Sequence, residues 1–427
     1  MLLSGLIFFA IGLWHIEDVP VASTAVALDI DPYGMAAVVF WSNQDMYFCY
    51  RCSSGGTYYW LWEYINSAWD ENFKNHDNFC FDNIGKPHVT FFRPELYRTP
   101  ERYIFYATRE AIQQWTSINV GDMLLYGEQI DISTDTFDYP HIIYGRYHTY
   151  YDGMSWQYDT VNSIVENAQP SLAIDHNNTI HISLGGCVYE DTGFVGYGYK
   201  DSDGWHVEYN NQYDVNSPVK LAVDSAGRPH LLFCTSNDSL TYHAMKQNNA
   251  WIYEDITALN ASFIDISDTT VHLLGTDPTG NTIRHYWKLD SDWLFEDIHS
   301  GMPLDLAVDK DDYVHCIFYE NNQLHYATNR PQTVVSEQIQ ISLETISGSR
   351  ITRLPVRINF LKSQSPDGID IVNNSGRAVA SYSLNHGANS FMWNGRDQTN
   401  HKVPTGIYYL IQKKHNQHQI TKIILVK

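Results

Sequence analysis

The chain has 427 residues, which is enough for a large core and for more than one domain. Aromatic residues make up 14% of it, with 30 Tyr and 12 Trp, and this composition favours β-structure. The formal net charge of −22 argues against nucleic acid and against anionic membrane surfaces as partners.

The N-terminal segment contains a continuous apolar run, Leu2 to Leu13. The run is too short to span a bilayer, so we expect no transmembrane helix. It is typical of the core of a secretory signal, with Ala10-Ile11-Gly12 as a small-x-small cleavage site, and we assign residues 1–12 to a signal-peptide remnant. The alternative is a strand, because Leu6 to Ala10 matches Leu240 to Ala244.

A strand–turn–strand phrase recurs along the chain, and Leu221 to Phe233 is its clearest copy. Asp224 opens the turn, Gly227 can take a left-handed conformation, and His230 starts the return strand. The other copies are Leu28 to Phe40, Phe81 to His88, Asp135 to His141, Asp175 to His181, a degenerate Asp265 to His272, and Asp309 to His315. Seven copies at intervals of roughly 40–50 residues indicate a β-propeller.

A second phrase, Trp-x-x-Glu, alternates with the first. Its copies are Trp60 to Glu63, Trp205 to Glu208, Trp251 to Glu254 and Trp293 to Glu296, with Trp156 to Asp159 as a variant and Trp115 to Ile118 without the acid. An aromatic strand lies between the two phrases, so that each unit predicts one four-stranded blade. The predicted blades end near Asn66, Val120, Asn162, Asn210, Thr257, Ser300 and Asn329.

The unit that starts at Leu306 lacks a Trp strand, whereas a spare copy, Trp14 to Asp18, stands near the N-terminus. We therefore predict that Trp14 to Asp18 completes the last blade and closes the ring, which hides both free edges. Val334 to Glu337 is a weaker rival for the same position. The predicted propeller covers residues 13–335.

A polar stretch, Thr345 to Arg350, predicts a linker over 336–353. Short strands at even spacing then predict a small β-sandwich over 354–427. The fold class is therefore all-β: a seven-bladed propeller of four-stranded blades followed by a sandwich.

The motifs Gly387-x-Asn389-Ser390-x-x-Trp393-Asn394-Gly395-Arg396-Asp397 and Val403-Pro404-x-Gly406-Ile407-Tyr408 resemble the immunoglobulin-like domain of flagellar hook-assembly proteins. They are also similar to the C-terminal sorting domains of the type IX secretion system. The resemblance covers about the last 75 residues, and it implies export with surface attachment or release. The repeats resemble bacterial secreted propellers that are loosely similar to sialidases, but the sialidase Asp-box is absent in that form, so this resemblance implies fold rather than catalysis.

The six cysteines do not form a disulfide framework. Cys187, Cys234 and Cys316 are interpreted as small core residues. The spacing of Cys49 and Cys52 is interpreted as accidental, with a local or inter-blade disulfide as the alternative. Asp201 to Gly204 and Asp309 to Asp312 do not complete a calcium loop, so we predict neither a metal nor a cofactor.

The repeated Asp, His, Trp and Glu are interpreted as structural, because a single site does not need seven copies. Non-repeated residues are better functional candidates. Long connections are predicted in blades two, three and four, over Arg93 to Arg102, Tyr144 to Asp152 and Gly185 to Asp191. The candidate ligand-binding residues are Arg93, Tyr97, Arg98, Arg146, Tyr147, His148 and Tyr151.

Arginine forks bind carboxylates and sulfates, and tyrosine faces stack on sugar rings, so an acidic glycan is the candidate ligand. The alternative is that the arginines balance nearby acids. Three functions follow: an exported or cell-surface binding module, a purely structural surface protein, or an enzyme. The enzyme would be a lyase that uses His148 and a tyrosine, or a hydrolase with a carboxylate pair. Catalytic residues and oligomeric state are not predicted.

Overall fold

The computed structural model describes residues 14–330 and 346–425 apart from short internal segments. Those segments are 22, 24–25, 43–44, 55–56, 68–77, 95–101, 125–128, 162–168, 186–192, 216–217, 237–239, 257–259, 290–291, 353–355, 360–367, 374–377, 385–389, 405 and 415–416. The predicted signal-peptide remnant, residues 1–12, lies outside the described residues.

The propeller has seven blades, each a four-stranded antiparallel sheet. The first strands of successive blades contact each other around the ring, so these strands lie innermost and the fourth strands lie at the rim. The chain enters through β1 (His15–Val19). Blade one is β2 (Val26–Ile30), β3 (Ala36–Ser42), β4 (Asp45–Ser54) and β5 (Thr57–Ser67). Blade two is β6 (Phe79–Phe81), β7 (Pro87–Pro94), β8 (Arg102–Ala111) and β9 (Gln114–Leu124).

Blades three to seven repeat this order. Blade three is β10 (Ile130–Thr134), β11 (Pro140–Tyr144), β12 (Tyr147–Tyr151) and β13 (Trp156–Thr160). Blade four is β14 (Gln169–Ile174), β15 (Ile180–Gly185), β16 (Val195–Asp201) and β17 (Gly204–Asn210). Blade five is β18 (Lys220–Val223), β19 (Pro229–Cys234), β20 (Thr241–Gln247) and β21 (Ala250–Asp255). Blade six is β22 (Asn260–Ser267), β23 (Thr270–Thr276), β24 (Thr282–Leu289) and β25 (Asp292–Ser300). Blade seven is β26 (Met302–Val308), β27 (Val314–Glu320), β28 (Gln323–Thr328) and β1.

The N-terminal strand closes the ring, as predicted. β1 pairs antiparallel with β28, with His15 opposite Thr328 and Val19 opposite Leu324. Gln323 adds a side-chain hydrogen bond of 2.6 Å to the Val19 carbonyl. The last blade is therefore built from both ends of the propeller chain and leaves no open edge. The rival segment, Val334 to Glu337, lies outside the described residues.

The repeated Asp organises the turn between the first and second strands. Asp224 Oδ1 accepts hydrogen bonds from the backbone N–H groups of Ala226 and Arg228, at 3.0 and 2.8 Å. Gly227 has φ +73°, the left-handed conformation predicted for it. Equivalent bonds are made by Asp31, Asp82, Asp135, Asp175 and Asp309.

The sixth copy differs from the expectation. Asp265 does not open a turn but lies within β22 opposite His272. The turn of this blade is a tighter one around Asp268, which has φ +52°. This explains why the copy looked degenerate in the sequence.

Seven hydrophobic clusters hold the ring together, one at each junction between blades. At the junction of blades four and five, for example, Val195 and Tyr197 pack against Leu231 and Phe233. Burial of apolar area between blades is the main stabilising contribution of such a ring.

The C-terminal part is also all-β. Its strands are β29 (Ile346–Thr352), β30 (Val356–Asn359), β31 (Gly368–Asn373), β32 (Ala378–Ser383), β33 (Ser390–Trp393), β34 (Gly406–Lys414) and β35 (Gln417–Leu425). One sheet has the order β29-β35-β34-β31-β32, and β30 pairs with β33. Ile369, Ile371, Phe391, Trp393 and Leu410 form a common core between the two sheets. The expected linker 336–353 contains β29, because this segment pairs in parallel with β35, so the sheet begins before Leu354.

The Trp-Asn-Gly-Arg-Asp motif is a folding element of this C-terminal part. The buried Trp393 indole donates to the Arg396 carbonyl at 2.9 Å, and Asp397 Oδ1 accepts from the backbone N–H groups of Thr399 and His401. Tyr408 packs edge-on against Trp393 and donates its hydroxyl to the Pro404 carbonyl. The two motifs therefore specify one local core.

Candidate functional site

The predicted loop cluster is only partly assembled by the described residues. Arg93 lies in β7, half-buried, with its guanidinium 5.4 Å from the centre of the Phe105 ring. Arg146 lies in the equivalent connection of the next blade, with its guanidinium 5.6 Å from the centre of the exposed Tyr147 ring. Both arginines sit at the connection between second and third strands, which ends on the same face of every blade. Tyr97 and Arg98 lie outside the described residues.

Blade three has no long connection, contrary to the prediction. β11 ends at Tyr144 and β12 begins at Tyr147, so that Gly145 and Arg146 alone form the hairpin, with Gly145 at φ +50°. The aromatic run after Gly145 is a strand and not the predicted loop, because it alternates and pairs with both β11 and β13. Tyr151 accordingly lies in β12, with its ring 5.9 Å from that of Trp156.

His148 is fully buried and does not face the loop cluster. Its Nε2 lies 3.0 Å from His141 Nδ1, and the two rings stack. Burial lowers the pKa of His148 well below its usual range, and the neighbouring His141 and Lys200 add to this effect. The imidazole is therefore closed off from the surface, and the prediction that His148 binds a ligand or acts as a base is wrong.

The same arrangement recurs around the ring and explains the repeated histidines. In blade five, His230 lies 3.3 Å from the turn residue Asp224 and 2.9 Å from His243 in the third strand. His243 in turn lies 3.3 Å from Glu254 in the fourth strand. We call this series of contacts the histidine network. It runs from the acid of the turn to the His of the second strand and on to its partner in the third strand. The second-strand His and its third-strand partner are His88 with Tyr106, His141 with His148, His181 with Tyr197, His230 with His243, His272 with His285, and His315 with Tyr326.

Burial keeps five of these histidines neutral. It lowers the pKa of His230 to about 4, and it also lowers the pKa values of His181, His243, His285 and His315. A neutral imidazole donates from one nitrogen and accepts at the other, so that it can link a hydroxyl or a second imidazole to an acid. In blades four to seven these neutral rings therefore connect neighbouring strands.

The acid of Trp-x-x-Glu joins neighbouring blades. Glu63 of blade one accepts from Arg109 Nε of blade two at 3.0 Å and from the Trp115 indole at 3.1 Å, with a further short bond from Arg109 Nη2. The cation stands directly opposite the Trp on the adjacent strand. We call this set of acid, cation and Trp the blade clamp. The other acid–cation pairs are Glu17 with Arg51, Asp159 with Lys200, Glu208 with Lys246, and Glu254 with Lys288.

Two junctions lack this clamp. Ile118 replaces the acid of blade two, and Tyr151 stands opposite Trp156 where blade three would carry the cation. Loss of the acid is thus matched by loss of the cation, as expected if each charge is tolerated only with its partner. At the junction of blades six and seven, Glu296 bonds His285 of its own blade instead.

Carboxylates also lie near the axis of the ring. Asp29 accepts from the backbone N–H of Phe81 in the next blade, and Asp265 accepts from that of Val308, at 2.7 and 2.6 Å. Burial raises the pKa of Asp29 to about 7 and that of Asp265 to about 6, although these hydrogen bonds oppose it. They act as inter-blade acceptors.

The described residues contain no group of three or more His, Cys, Asp or Glu side chains arranged to hold a metal ion. Cys49 and Cys52 are free thiols, because residues three apart on a strand point to opposite faces. In the same part of the chain, no helix is both long and apolar enough to cross a membrane.

No family model matches the chain, and no curated protein matches its sequence. Among solved structures, hydrazine synthase of Kuenenia stuttgartiensis aligns at 8% identity over 72% of this chain and 96% of its own, with a TM-score of 0.51. The polysaccharide lyase Uly1 aligns at 9% identity over 71% and 89%, with a TM-score of 0.48. PorZ, a type-IX secretion component of Porphyromonas gingivalis, aligns at 9% identity over 94% and 70%, with a TM-score of 0.41. At such identities the likeness concerns the fold alone.

Proposed function

We propose that this chain is an exported or cell-surface binding module whose propeller recognises an acidic glycan without converting it. The observation that carries the proposal is the Arg146–Tyr147 pair, which places a guanidinium beside an exposed aromatic ring on a two-residue hairpin. A guanidinium fork suits the carboxylate or sulfate of such a glycan, and the ring suits the apolar face of a sugar.

A binding role accounts for the polar residues better than catalysis does. The repeated histidines and acids are engaged in the histidine network and the blade clamps, where each has a structural partner. A lyase needs an accessible base to remove the proton next to the uronate. The candidate for that role, His148, is fully buried, which favours binding over turnover.

An array of acidic and neutral glycans probed with the full chain tests this proposal. Arg146→Ala should abolish binding to acidic glycans, and Arg146→Lys should weaken it, because lysine keeps the charge but loses the fork. Lys310→Ala is the matched control, since Lys310 is an exposed cation on a turn between first and second strands, at the opposite face. Binding that is unchanged in Arg146→Ala would overturn the site, and silence on every acidic glycan would overturn the function.

Export is inferred from the resemblance of the Trp393 to Tyr408 motifs to sorting-type domains. We propose that the C-terminal part directs the protein to the surface. Fractionation of cells that express the chain with and without residues 346–427 tests this. An unchanged distribution between the two would contradict it.

A further inference from the structure

An open cleft of about 180 Å³ lies at the rim between blades four and five. Glu208, Tyr209 and Asn210 of β17 form one side, and Trp251 and Tyr253 of β21 form the other. Its base is the buried Leu231 side chain. The cleft thus combines an aromatic wall, an apolar base and two polar side chains, which is the usual composition of a small-molecule site.

Two polar groups of the cleft are available to a ligand. Both hydrogen bonds that Glu208 accepts, from Lys246 at 2.7 Å and from the Trp251 indole at 2.6 Å, go to Oε1. Oε2 accepts none from the described part of the chain, and 47% of the side chain is exposed. Asn210 donates to the Tyr253 hydroxyl oxygen at 2.7 Å, which leaves the phenol proton free to donate. The cleft therefore offers an acceptor and a donor.

The residues at these two positions vary from junction to junction. Between blades one and two, Asn66 donates to the Ser117 hydroxyl at 2.6 Å, so the amide is shared there but the phenol is not. The positions of Asn210 and Tyr253 are occupied by Val161 and Val207 at the junction of blades three and four. They are occupied by Ile256 and Phe295 at the junction of blades five and six. Apolar pairs are thus compatible with a blade junction, so the fold itself does not call for an amide and a phenol here.

We propose that this cleft binds one uncharged pyranose ring, the terminal residue of a glycan; this inference rests on the proposed glycan-binding function and adds a second subsite. The Trp251 and Tyr253 rings fit the C–H face of the sugar, and Glu208 Oε2 and the Tyr253 hydroxyl fit its hydroxyl groups. The volume lies below the roughly 300–1,000 Å³ of sites for drug-sized ligands, which limits the occupant to a single ring. The neighbouring cation, Lys246, is already paired with Glu208. The acidic group of an acidic sugar would therefore find no unpaired cation in the cleft and would be repelled by the Glu208 carboxylate.

The full chain is first screened on immobilised neutral glycans that end in glucose, galactose, mannose, fucose, xylose or N-acetylglucosamine. The methyl glycoside of the sugar that binds is then titrated by calorimetry. Tyr253→Phe keeps the ring and removes the donor, and we expect it to weaken binding about fivefold or more. Glu208→Gln should weaken it similarly.

Two matched variants serve as controls. Glu254→Gln removes the equivalent acid at the junction of blades five and six, and Phe295→Ala truncates the residue equivalent to Tyr253. Both should leave affinity unchanged. Neutral-sugar binding that survives both Tyr253→Phe and Glu208→Gln would overturn the cleft as the site. If only acidic glycans bind, and they do so through Arg146, the cleft proposal falls while the proposed function stands; if no glycan binds, both fall.

Discussion

Glu63 of blade one and Arg109 of blade two form an ion pair across their junction, with both side chains 2% exposed. The equivalent pair of Glu208 and Lys246 has the same connectivity, but the Glu208 side chain is 47% exposed. The same clamp therefore occurs in a buried and in an open setting within one molecule.

Breaking the buried clamp should be far more costly than breaking the open one. Glu63→Ala leaves the Arg109 charge buried without a partner and should lower the free energy of unfolding by about 3–5 kcal/mol. Lys246→Ala removes a charge from the open pair and should cost about 0–1 kcal/mol for the lost ion pair. Urea unfolding of both variants measures this difference, and equal losses would contradict the burial argument.

The junction between blades two and three suggests how the buried clamp can be replaced. Ile118 and Tyr151 occupy the acid and cation positions there. The double variant Glu63→Ile with Arg109→Tyr copies that junction and should recover most of the stability lost in Glu63→Ala. A double-mutant cycle by urea unfolding measures the coupling. Strictly additive losses would show that the two positions do not act as a pair.

A missing hydrogen bond in blade three can be restored. His148 Nδ1 is buried and has no partner among the described residues, whereas the equivalent nitrogens of His243 and His285 contact Glu254 and Glu296. Blade three carries the shorter Asp159 at that position, and Asp159 bonds Lys200 and Trp205. Asp159→Glu should reach His148 and stabilise the fold by about 1 kcal/mol. Thermal unfolding tests this with Asp159→Asn as the control, and equal destabilisation by both variants would contradict the account.

The sequence was sufficient for the architecture because the repeat is local. An Asp and, three residues later, a left-handed Gly, Asn or Asp mark six of the turns, and a His follows the first Asp by six residues in five of them. Counting Trp strands identified Trp14 to Asp18 as the closing strand. The blade clamp escaped prediction because its acid and cation lie in different blades, as do Glu63 and Arg109. The only local signal was a Lys or Arg three residues after the third-strand partner. Blade three was misjudged because tyrosines suit both loops and strands, so Gly145 alone marked the hairpin.

Acid should destabilise the propeller through the histidine network. An unfolded His binds a proton below pH 6.5, whereas folded His230 does so only near pH 4, so the unfolded state holds more protons between these values. Stability is therefore present above pH 6.5 and is lost as the pH falls. Asp29 and Asp265 have raised pKa values and oppose this trend, but six buried histidines outnumber them.

A variant separates the contribution of the buried histidines to the pH dependence from that of the two buried aspartates. His243→Tyr copies blade four, where Tyr197 holds the same position, and it removes one titrating ring while keeping a hydrogen bond to His230. The urea concentration at half-unfolding of the wild type should fall when the pH is lowered from 7.5 to 5, and that of His243→Tyr should fall less. His206→Gln, on the exposed His206, should follow the wild type. A midpoint that rises on acidification would show that the aspartates dominate.

We propose above all that the propeller binds an acidic glycan and leaves it intact. The most direct test follows bound ligand and the absorbance of unsaturated uronates in the same sample of full chain and array-selected glycan. We expect saturable binding that is lost in Arg146→Ala, is kept in Lys310→Ala, and yields no product over time. Release of unsaturated product, or binding that is indifferent to Arg146→Ala, would contradict it.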